Sequence, residues 1–329
     1  VKASVIATVL NEKGAIERLL NSLDGQTRRP DEVVIADGGS TDGTLSLLES
    51  WASSSLPLRV LETPGANISE GRNAAISAAT GDLIASTDAG VRLEDDWLEK
   101  LLAPFEDEGT GQAVSVAAGW FVPDPQTVFE TAMGATVLPR LRDVNAKTFL
   151  PSSRSVAFRK AAWEACGGYP EWLDYCEDLI FDLRLRDLYG PFAFAAGAIV
   201  YFRPRGTLKA FFKQYYQYAR GDGKADLWRK RHAIRYLTYL VLGPLLVILA
   251  LVHSPWWWLA LLAGLAVYTS TPYRRLWPML APFGVVQRVQ AVILVPVIRV
   301  VGDLAKMIGY PVGVVWRLRN MRRPEVHWR

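Results

Sequence analysis

The chain holds only two cysteines, Cys166 and Cys176, and three histidines in 329 residues. Two cysteines with no Cys-x-x-Cys spacing and no histidine partner make neither a zinc site nor a disulfide framework, so both are read as reduced structural thiols. His232, His253 and His327 all fall in the C-terminal half, which argues against a histidine-based metal hydrolase. No Gly-x-Gly-x-x-Gly follows the first apolar run, against a dinucleotide dehydrogenase. No Gly-x-x-x-x-Gly-Lys-Ser/Thr is present either, against a P-loop enzyme. Val1 to Leu10 reads as a strand without a basic leader, so no signal peptide is expected there. The longest gap is in charge: from Tyr236 to Tyr273 there is no Asp, Glu, Lys or Arg.

A globular core does not require so long an uncharged stretch, whereas a membrane hairpin does. Tyr236–Val252 and Trp256–Ser270 are expected as two short spanning helices, with Trp256, Trp257, Trp258 and Tyr273 placed as an aromatic belt. The net charge is +4, and its distribution says more than its total. Lys224, Arg229, Lys230, Arg231 and Arg235 precede the apolar stretch; Arg317, Arg319, Arg322 and Arg323 lie near the C-terminus. Basic clusters flanking apolar spans favour the cytoplasmic side and anionic headgroups. No nucleic-acid motif accompanies them, so no nucleic-acid partner is expected. Leu276–Trp316, broken by charges and by Pro282, Pro296 and Pro311, reads as interfacial or as a third crossing. These readings place the protein in a cell membrane, multi-pass, with its catalytic part cytoplasmic.

The first half alternates. Residues 3–9 form a β-branched run expected as a buried strand, and Ile16, Leu19, Leu20 and Leu23 follow at helical spacing. Val33–Ala36 is a second strand, Leu45, Leu47 and Leu48 mark a helix, and Leu58–Leu61 is a third strand. Ser69–Ala79 is a helix with Gly81 expected as a left-handed cap, and Leu83–Thr87 is a fourth strand. This order predicts an α/β fold, a Rossmann-like doubly wound mixed sheet, followed by a helical membrane region. From about Gly111 to Pro204 the pattern is mixed, with strands at Ser153–Phe158 and Phe192–Val200 and a short helix at Lys160–Cys166 ended by Gly167-Gly168. Leu208–Ala219 is aromatic and amphipathic, suited to a membrane interface. Domains are therefore expected at 1–205, 206–235 and 236–329.

Polar clusters at residues 8–12, 37–42 and 88 fall at the carboxyl ends of the predicted strands, where ligands bind in such sheets. Asp37 has two readings there: a carboxylate for the base or ribose of a nucleotide, or an Asx-turn residue in a Gly-rich loop. Asp42 is expected to cap a turn or the helix after it.

Taken in series, Thr8-Val9-Leu10-Asn11-Glu12, Asp37-Gly38-Gly39-Ser40-Thr41-Asp42-Gly43-Thr44, Gly71-Arg72-Asn73, Thr87-Asp88-Ala89-Gly90 and Gly167-Gly168-Tyr169 before Glu177-Asp178 resemble the successive signatures of family 2 glycosyltransferases of GT-A fold. The resemblance covers roughly the first 220 residues. It implies an inverting transfer from a nucleotide-diphosphate sugar, UDP-sugar before GDP-sugar; the aromatic helix and the hairpin, which bring the site to the bilayer, point to a lipid or lipid-linked glycan acceptor. Thr8, Glu12, Asp37, Arg72, Asn73 and Asp88 would contact the nucleotide-sugar. Asp178 would be the base that takes the acceptor proton, with Glu177 orienting acceptor or base.

Asp88 would also hold Mg²⁺ or Mn²⁺, since hard oxygen ligands suit those cations and a nucleoside diphosphate leaves readily only when its charge is neutralised. The family usually shows Asp-x-Asp at this point; this chain has Asp88-Ala89-Gly90, and Arg72 is the fallback cation for the phosphates. Gln217-Tyr218-Ala219-Arg220-Gly221 resembles the Gln-x-x-Arg-Trp motif with Gly for Trp, putting Gln217 near the acceptor and Arg220 near the diphosphate, or both in interfacial packing. Three other readings stand beside this one. They are a polyprenyl-phosphate sugar synthase, a nucleotidyltransferase on a similar fold, and a non-catalytic membrane module that binds nucleotide-sugar or glycan.

Overall fold

The computed structural model describes residues 1–52, 55–106 and 114–328; the expected start of the mixed region at Gly111 lies outside them. The described residues divide into two compact units: Val1–Asp124 with Leu141–Arg203, and Pro125–Arg140 with Pro204–Arg329. The segment 125–140 leaves the first unit and belongs to the second, a crossing with no visible sign in the sequence.

In the first unit, β1 (Ala3–Val9), β2 (Glu32–Asp37), β3 (Leu58–Glu62) and β4 (Leu83–Ser86) are parallel and ordered β3-β2-β1-β4. The sheet continues through β7 (Val156–Arg159), β6 (Val116–Pro123), β8 (Ala193–Phe202) and β5 (Val91–Leu93). β7 runs antiparallel to β4 and to β6, β6 runs parallel to β8, and β5 antiparallel to β8. The sheet is mixed, as predicted, and has eight strands; β5 and β6 were not marked by the sequence pattern. The strand expected from Ser153 begins at Val156; before it, the Ser153 hydroxyl meets the Tyr169 hydroxyl and the Ser155 hydroxyl donates to the Ala198 carbonyl.

Helices cover both faces. On one, α1 (Lys13–Asp24) buries Ile16, Leu19, Leu20 and Leu23, α2 (Thr44–Ala52) buries Leu48, and α4 (Trp97–Glu106) buries Trp97, Leu98, Leu101 and Leu102 against the sheet. On the other, α3 (Ile68–Ala78), α6 (Lys160–Ala165) and α7 (Glu177–Tyr189) bury Ala75, Ile76, Ala162, Phe181 and Leu185. Each fully buried leucine or isoleucine contributes about 1.5–3 kcal/mol, so the helical periodicity read along α1 is what seats that helix. Gly81 is not a left-handed cap: α3 ends at Ala79 in extended conformation, and Gly81 is small because a Cβ there would lie 2.7 Å from the Ser4 nitrogen. Gly167 and Gly168 do end α6 with positive φ, 78° and 71°.

The second unit is helical: α5 (Val128–Val137), α8 (Leu208–Lys224), α9 (Arg229–Leu237), α10 (Gly243–Val252), α11 (Trp257–Leu276) and α12 (Val285–Arg319). A π turn over Thr238–Leu242 joins α9 to α10, so Arg229–Val252 is one helix of 24 residues. By length and composition it is the one helix among the described residues able to cross a membrane, and it is almost wholly exposed. The second expected span does not meet the same measure. Its helix extends to Leu276 and takes in Thr269, Ser270, Thr271, Arg274 and Arg275, with Thr269, Pro272 and Leu276 buried inside the unit. The multi-pass hairpin is thus corrected to a single candidate span. The ambiguous stretch after Leu276 is mostly one 35-residue helix, α12, which carries Pro296 and Pro311 within it.

The expectation that α8 lies in a membrane interface also changes, because α8 packs lengthwise on α12. Gly309 and Gly313 of α12 face the Tyr216 and Arg220 carbonyls so closely that any side chain there would collide with them. Phe211 of α8 is buried beside Ile298, Ala132 and Met133. The aromatic stripe of α8 is in part core of this unit.

Candidate functional site

The loops at the carboxyl ends of β1 and β2 are knitted together by side-chain caps. Asn11, in left-handed conformation with φ 56°, accepts from Thr41 N at 2.8 Å, and its own N–H donates to Ser40 Oγ at 2.9 Å. Asp42 accepts from Thr44 N and Oγ1 with one oxygen and from Lys13 N with the other, the capping role expected of it. The hydrogen bond from the Thr44 hydroxyl, with those from the backbone, holds its carboxyl below the usual range. Glu12, half-buried at the start of α1, donates its N–H to Thr44 Oγ1 at 2.9 Å. Thr8 lies one residue before the end of β1, with its methyl group against Gly71.

Asp37 closes β2 and is 1% exposed. Its Oδ1 accepts from Gly39 N and Ser40 N, both at 2.7 Å, which is the Asx-turn reading. Its Oδ2 is buried with no hydrogen-bond partner among the described residues. A buried carboxylate oxygen left unbonded is costly, and the turn uses only one of the two at Asp37.

The next strand end carries a chain of charges. Arg72 of α3, 3% exposed, donates from one amino group to Asp88 Oδ1 at 3.0 Å and from the other to Glu177 Oε1 at 2.7 Å. Its guanidinium also stands over the Tyr169 ring, 5.3 Å from the centroid. Arg154 completes the chain with its Nε 3.2 Å from Asp88 Oδ2. Glu177 and Asp178 open α7, whose cap residue Cys176 is left-handed and makes no side-chain cap. Asp178 is half-buried, with Oδ1 accepting the Leu179 N–H at 2.8 Å.

Burial, reinforced by the neighbouring Asp178, pushes the Glu177 carboxyl up to about 7 despite Arg72. Burial disfavours the charged form of Arg72 too, but Glu177 and Asp88 together hold its pKa raised. A carboxyl poised near neutrality beside a second acid, within reach of a fixed cation, is an arrangement suited to proton transfer.

Asn73, expected to touch the nucleotide-sugar, is turned the other way. Its amide donates to Tyr169 O at 2.9 Å and Glu171 Oε1 at 2.8 Å, and its oxygen accepts from Tyr169 N and Trp163 Nε1. Those four bonds hold the Gly167-Gly168-Tyr169 loop. Arg72, the expected fallback for the phosphates, has both amino groups engaged by carboxylates inside the fold. Gln217 and Arg220 lie half-buried on α8 of the second unit.

Two residues escaped the motif reading. Arg154 sits in a Ser-Arg-Ser run that reads only as the start of a strand. Asp182, one helical turn after Asp178, is 2% exposed with Oδ2 unbonded, and burial with the charge of Asp178 holds its carboxyl well above the usual range. Its spacing of four from Asp178 was the available signal.

The residues present do not suit the Mg²⁺ or Mn²⁺ expected at Asp88. Both Asp88 oxygens already face guanidiniums, Gly90 stands where a second carboxylate would be, and no group of three His, Cys, Asp or Glu among the described residues could share a metal ion.

The chain is 28% identical over 319 residues to succinoglycan biosynthesis protein ExoA of Rhizobium meliloti strain 1021, covering 88% of this chain and 90% of that protein. It is 31% identical over 192 residues to the poly(ribitol-phosphate) β-N-acetylglucosaminyltransferase TarS of Staphylococcus aureus strain Mu50, covering 56% of this chain and 32% of that one. In fold it is similar to the mannosyltransferase PcManGT of Pyrobaculum calidifontis, solved with GDP-Man and Mn²⁺, with TM-score 0.55, 19% identity, and coverage of 97% of this chain and 87% of that one. Residues 4–165, which include every strand-end cluster described except the acids opening α7, match Glycosyl transferase family 2, and the chain belongs to that family.

Proposed function

We propose that this protein is an inverting glycosyltransferase that moves a sugar from a nucleotide-diphosphate donor, UDP-sugar before GDP-sugar, to a lipid or lipid-linked glycan. The observation that carries the reading is the Arg72 bridge. One buried guanidinium ties the donor-side carboxylate Asp88, at the end of β4, to the acids that open α7. A donor entering at the strand ends therefore lies beside Glu177 and Asp178. The open Oδ2 of Asp37 is the acceptor for a nucleotide N–H or ribose hydroxyl, and Thr8 and Glu12, at the carboxyl end of the neighbouring strand β1, are further donor contacts.

In the proposed step Asp178 takes the proton of the acceptor hydroxyl as that oxygen attacks the anomeric carbon. The bond from carbon to the β-phosphate oxygen breaks on the opposite side, and the electron pair leaves with the nucleoside diphosphate. Glu177, held by Arg72, orients Asp178 and the acceptor. No step is routed through a divalent cation, because the donor set does not suit one. Gln217 and Arg220 stand as acceptor and diphosphate contacts on the resemblance alone.

The acceptor class follows from the helical unit. Arg229–Val252 is apolar and exposed, with Arg229, Lys230, Arg231 and Arg235 at its start, as in a helix entering a bilayer from its cytoplasmic face. An enzyme seated there meets acceptors that are themselves lipid-borne.

The test is release of nucleoside diphosphate by detergent-purified protein, given a panel of UDP- and GDP-sugars and a lipid extract, beside Asp178→Asn. Lipid-dependent release from one donor, lost in the variant, is the expected result. Release that survives the substitution would replace the hydroxyl acceptor with a phosphate, which needs no base. Absence of release from every donor while nucleotide still binds would favour a binding module.

A further inference from the structure

The helical unit holds a polar network that the proposed transfer does not use, and Asp303 of α12 is its centre. Its Oδ1 accepts from Arg235 Nε at 2.7 Å. Its Oδ2 accepts from the hydroxyls of Tyr268 at 2.6 Å and Tyr239 at 3.2 Å. Both carboxylate oxygens are therefore taken, and the one negative charge is matched by Arg235.

Two more cations share that face of α12. Arg299 stands one turn before Asp303 and Lys306 one turn after it, so the three fall in one row. Arg299 lies over the Tyr268 ring, 4.3 Å from its centre, with its Nε buried and without a hydrogen-bond partner among the described residues. Lys306 Nζ is 4.8 Å from the centre of the Tyr215 ring of α8. Neither cation is in an ion pair among the described residues. The other acid nearby, Asp222 of α8, faces His232 Nε2 at 3.1 Å. Both side chains are half-buried, so water is partly excluded and a ring face answers each charge where an anion would answer it better.

The network meets the exposed helix Arg229–Val252 where that helix changes character. Arg235 is the last charge before the uncharged stretch, and Tyr239 lies one turn inside it. In a bilayer the passage from basic to apolar lies at the level of the phosphate headgroups. The adjoining face of α12 is apolar and exposed at Val297, Val300, Leu304 and Ile308. Cations without an anion, next to bare apolar surface, match a ligand with a phosphate at one end and hydrocarbon at the other.

We propose that Arg299 and Lys306 bind the phosphate headgroup of an anionic phospholipid, whose chains lie along the apolar face of α12. Arg299 supplies a planar donor and Lys306 a point charge. Asp303 keeps Arg235 and the two tyrosines in place beside them. The inference rests on reading Arg229–Val252 as a membrane helix and is independent of the glycosyl-transfer reading.

The experiment is calorimetric titration of dioctanoyl phosphatidate into the full-length protein in a non-ionic detergent, beside dioctanoylglycerol and inorganic phosphate. Phosphatidate should bind at least about tenfold more tightly than either the tail or the head alone. Arg299→Gln with Lys306→Gln should weaken that binding about tenfold or more, as expected on losing charge-assisted contacts. Lys213→Gln, the same loss of charge at an exposed position of α8, should leave it within about twofold. A double variant that binds like wild type overturns the proposal, as does an equal loss in Lys213→Gln. Dioctanoylglycerol or inorganic phosphate binding as tightly as phosphatidate overturns it too. Decaprenyl phosphate binding more than about tenfold tighter than phosphatidate would replace the phospholipid with an isoprenoid lipid. Should the double variant not fold, Lys306→Gln alone decides: a loss of about threefold or more upholds the site, and unchanged binding removes it.

Discussion

Glu177 offers a test of the charge chain that needs no substrate. Its carboxyl is 7% exposed and 2.7 Å from Arg72, yet burial and the adjacent Asp178 move it from 4.5 to about 7. The fold thus favours the neutral form. Below pH 4.5 folded and unfolded chains both hold the proton, and the contribution to stability is complete. Between 4.5 and 7 the unfolded chain releases a proton that the fold retains, so stability falls as pH rises and the contribution is gone above pH 7. A displacement of this size corresponds to ~3 kcal/mol.

Glu177→Gln has the same shape and no titration. Near pH 4.5 the two proteins should unfold together; by pH 8.5 the variant should be the more stable by up to ~3 kcal/mol. For a domain of this size that is roughly 6–12 °C in Tm. Intrinsic tryptophan fluorescence during heating, from pH 4.5 to 8.5 in one detergent, measures the difference curve. A difference that does not change with pH would refute the reasoning. A variant that loses ground as pH rises would show instead that the Arg72 ion pair outweighs the desolvation of Glu177.

Three further outcomes follow from named contacts. Asp178→Asn should lower transfer about 10²–10⁴-fold, the usual contribution of a positioned base, while UDP or GDP binding stays within about twofold by calorimetry. Asn73→Ala removes four hydrogen bonds to the loop at 163–171; denaturant unfolding should show a loss of about 2–4 kcal/mol. Asp37→Ala should weaken nucleotide binding at least about tenfold, whatever the sugar, because it removes the one buried oxygen left without a bond at the end of β2; equal Kd values would return Asp37 to a turn residue only.

What could be read in advance followed from how far each signal reaches along the chain. Ile16, Leu19, Leu20 and Leu23 repeat with the helical period, so the buried face of α1 was legible. The β-branched run at 3–9 could be only a strand buried on both faces. Asp37, Asp88, Glu177 and Asp178 were found because each stands at the end of an element, next to a glycine-rich or motif-bearing turn. Long-range consequences were not legible. Nothing local to Gly81 distinguishes a left-handed cap from a glycine pressed on Ser4. Nothing in 125–140 announces that α5 leaves the sheet unit to pack beside Phe211 and Ile298. Asn73 reads as a ligand contact until the loop at 163–171 returns to occupy its amide.

Arg154 was missed because motif reading follows the acids and glycines at strand ends, and this arginine stands among neither. It lies 66 residues from Asp88 in sequence, on the approach to a strand that runs antiparallel to β4. Antiparallel pairing of β7 with β4 brings the segment before β7 to the carboxyl end of β4, where Asp88 is. The strand order therefore joins an acid in one motif to an unremarked arginine in another segment. A partner reached only through the order of the strands leaves no trace in any local window, which is why the acid was legible and its arginine was not.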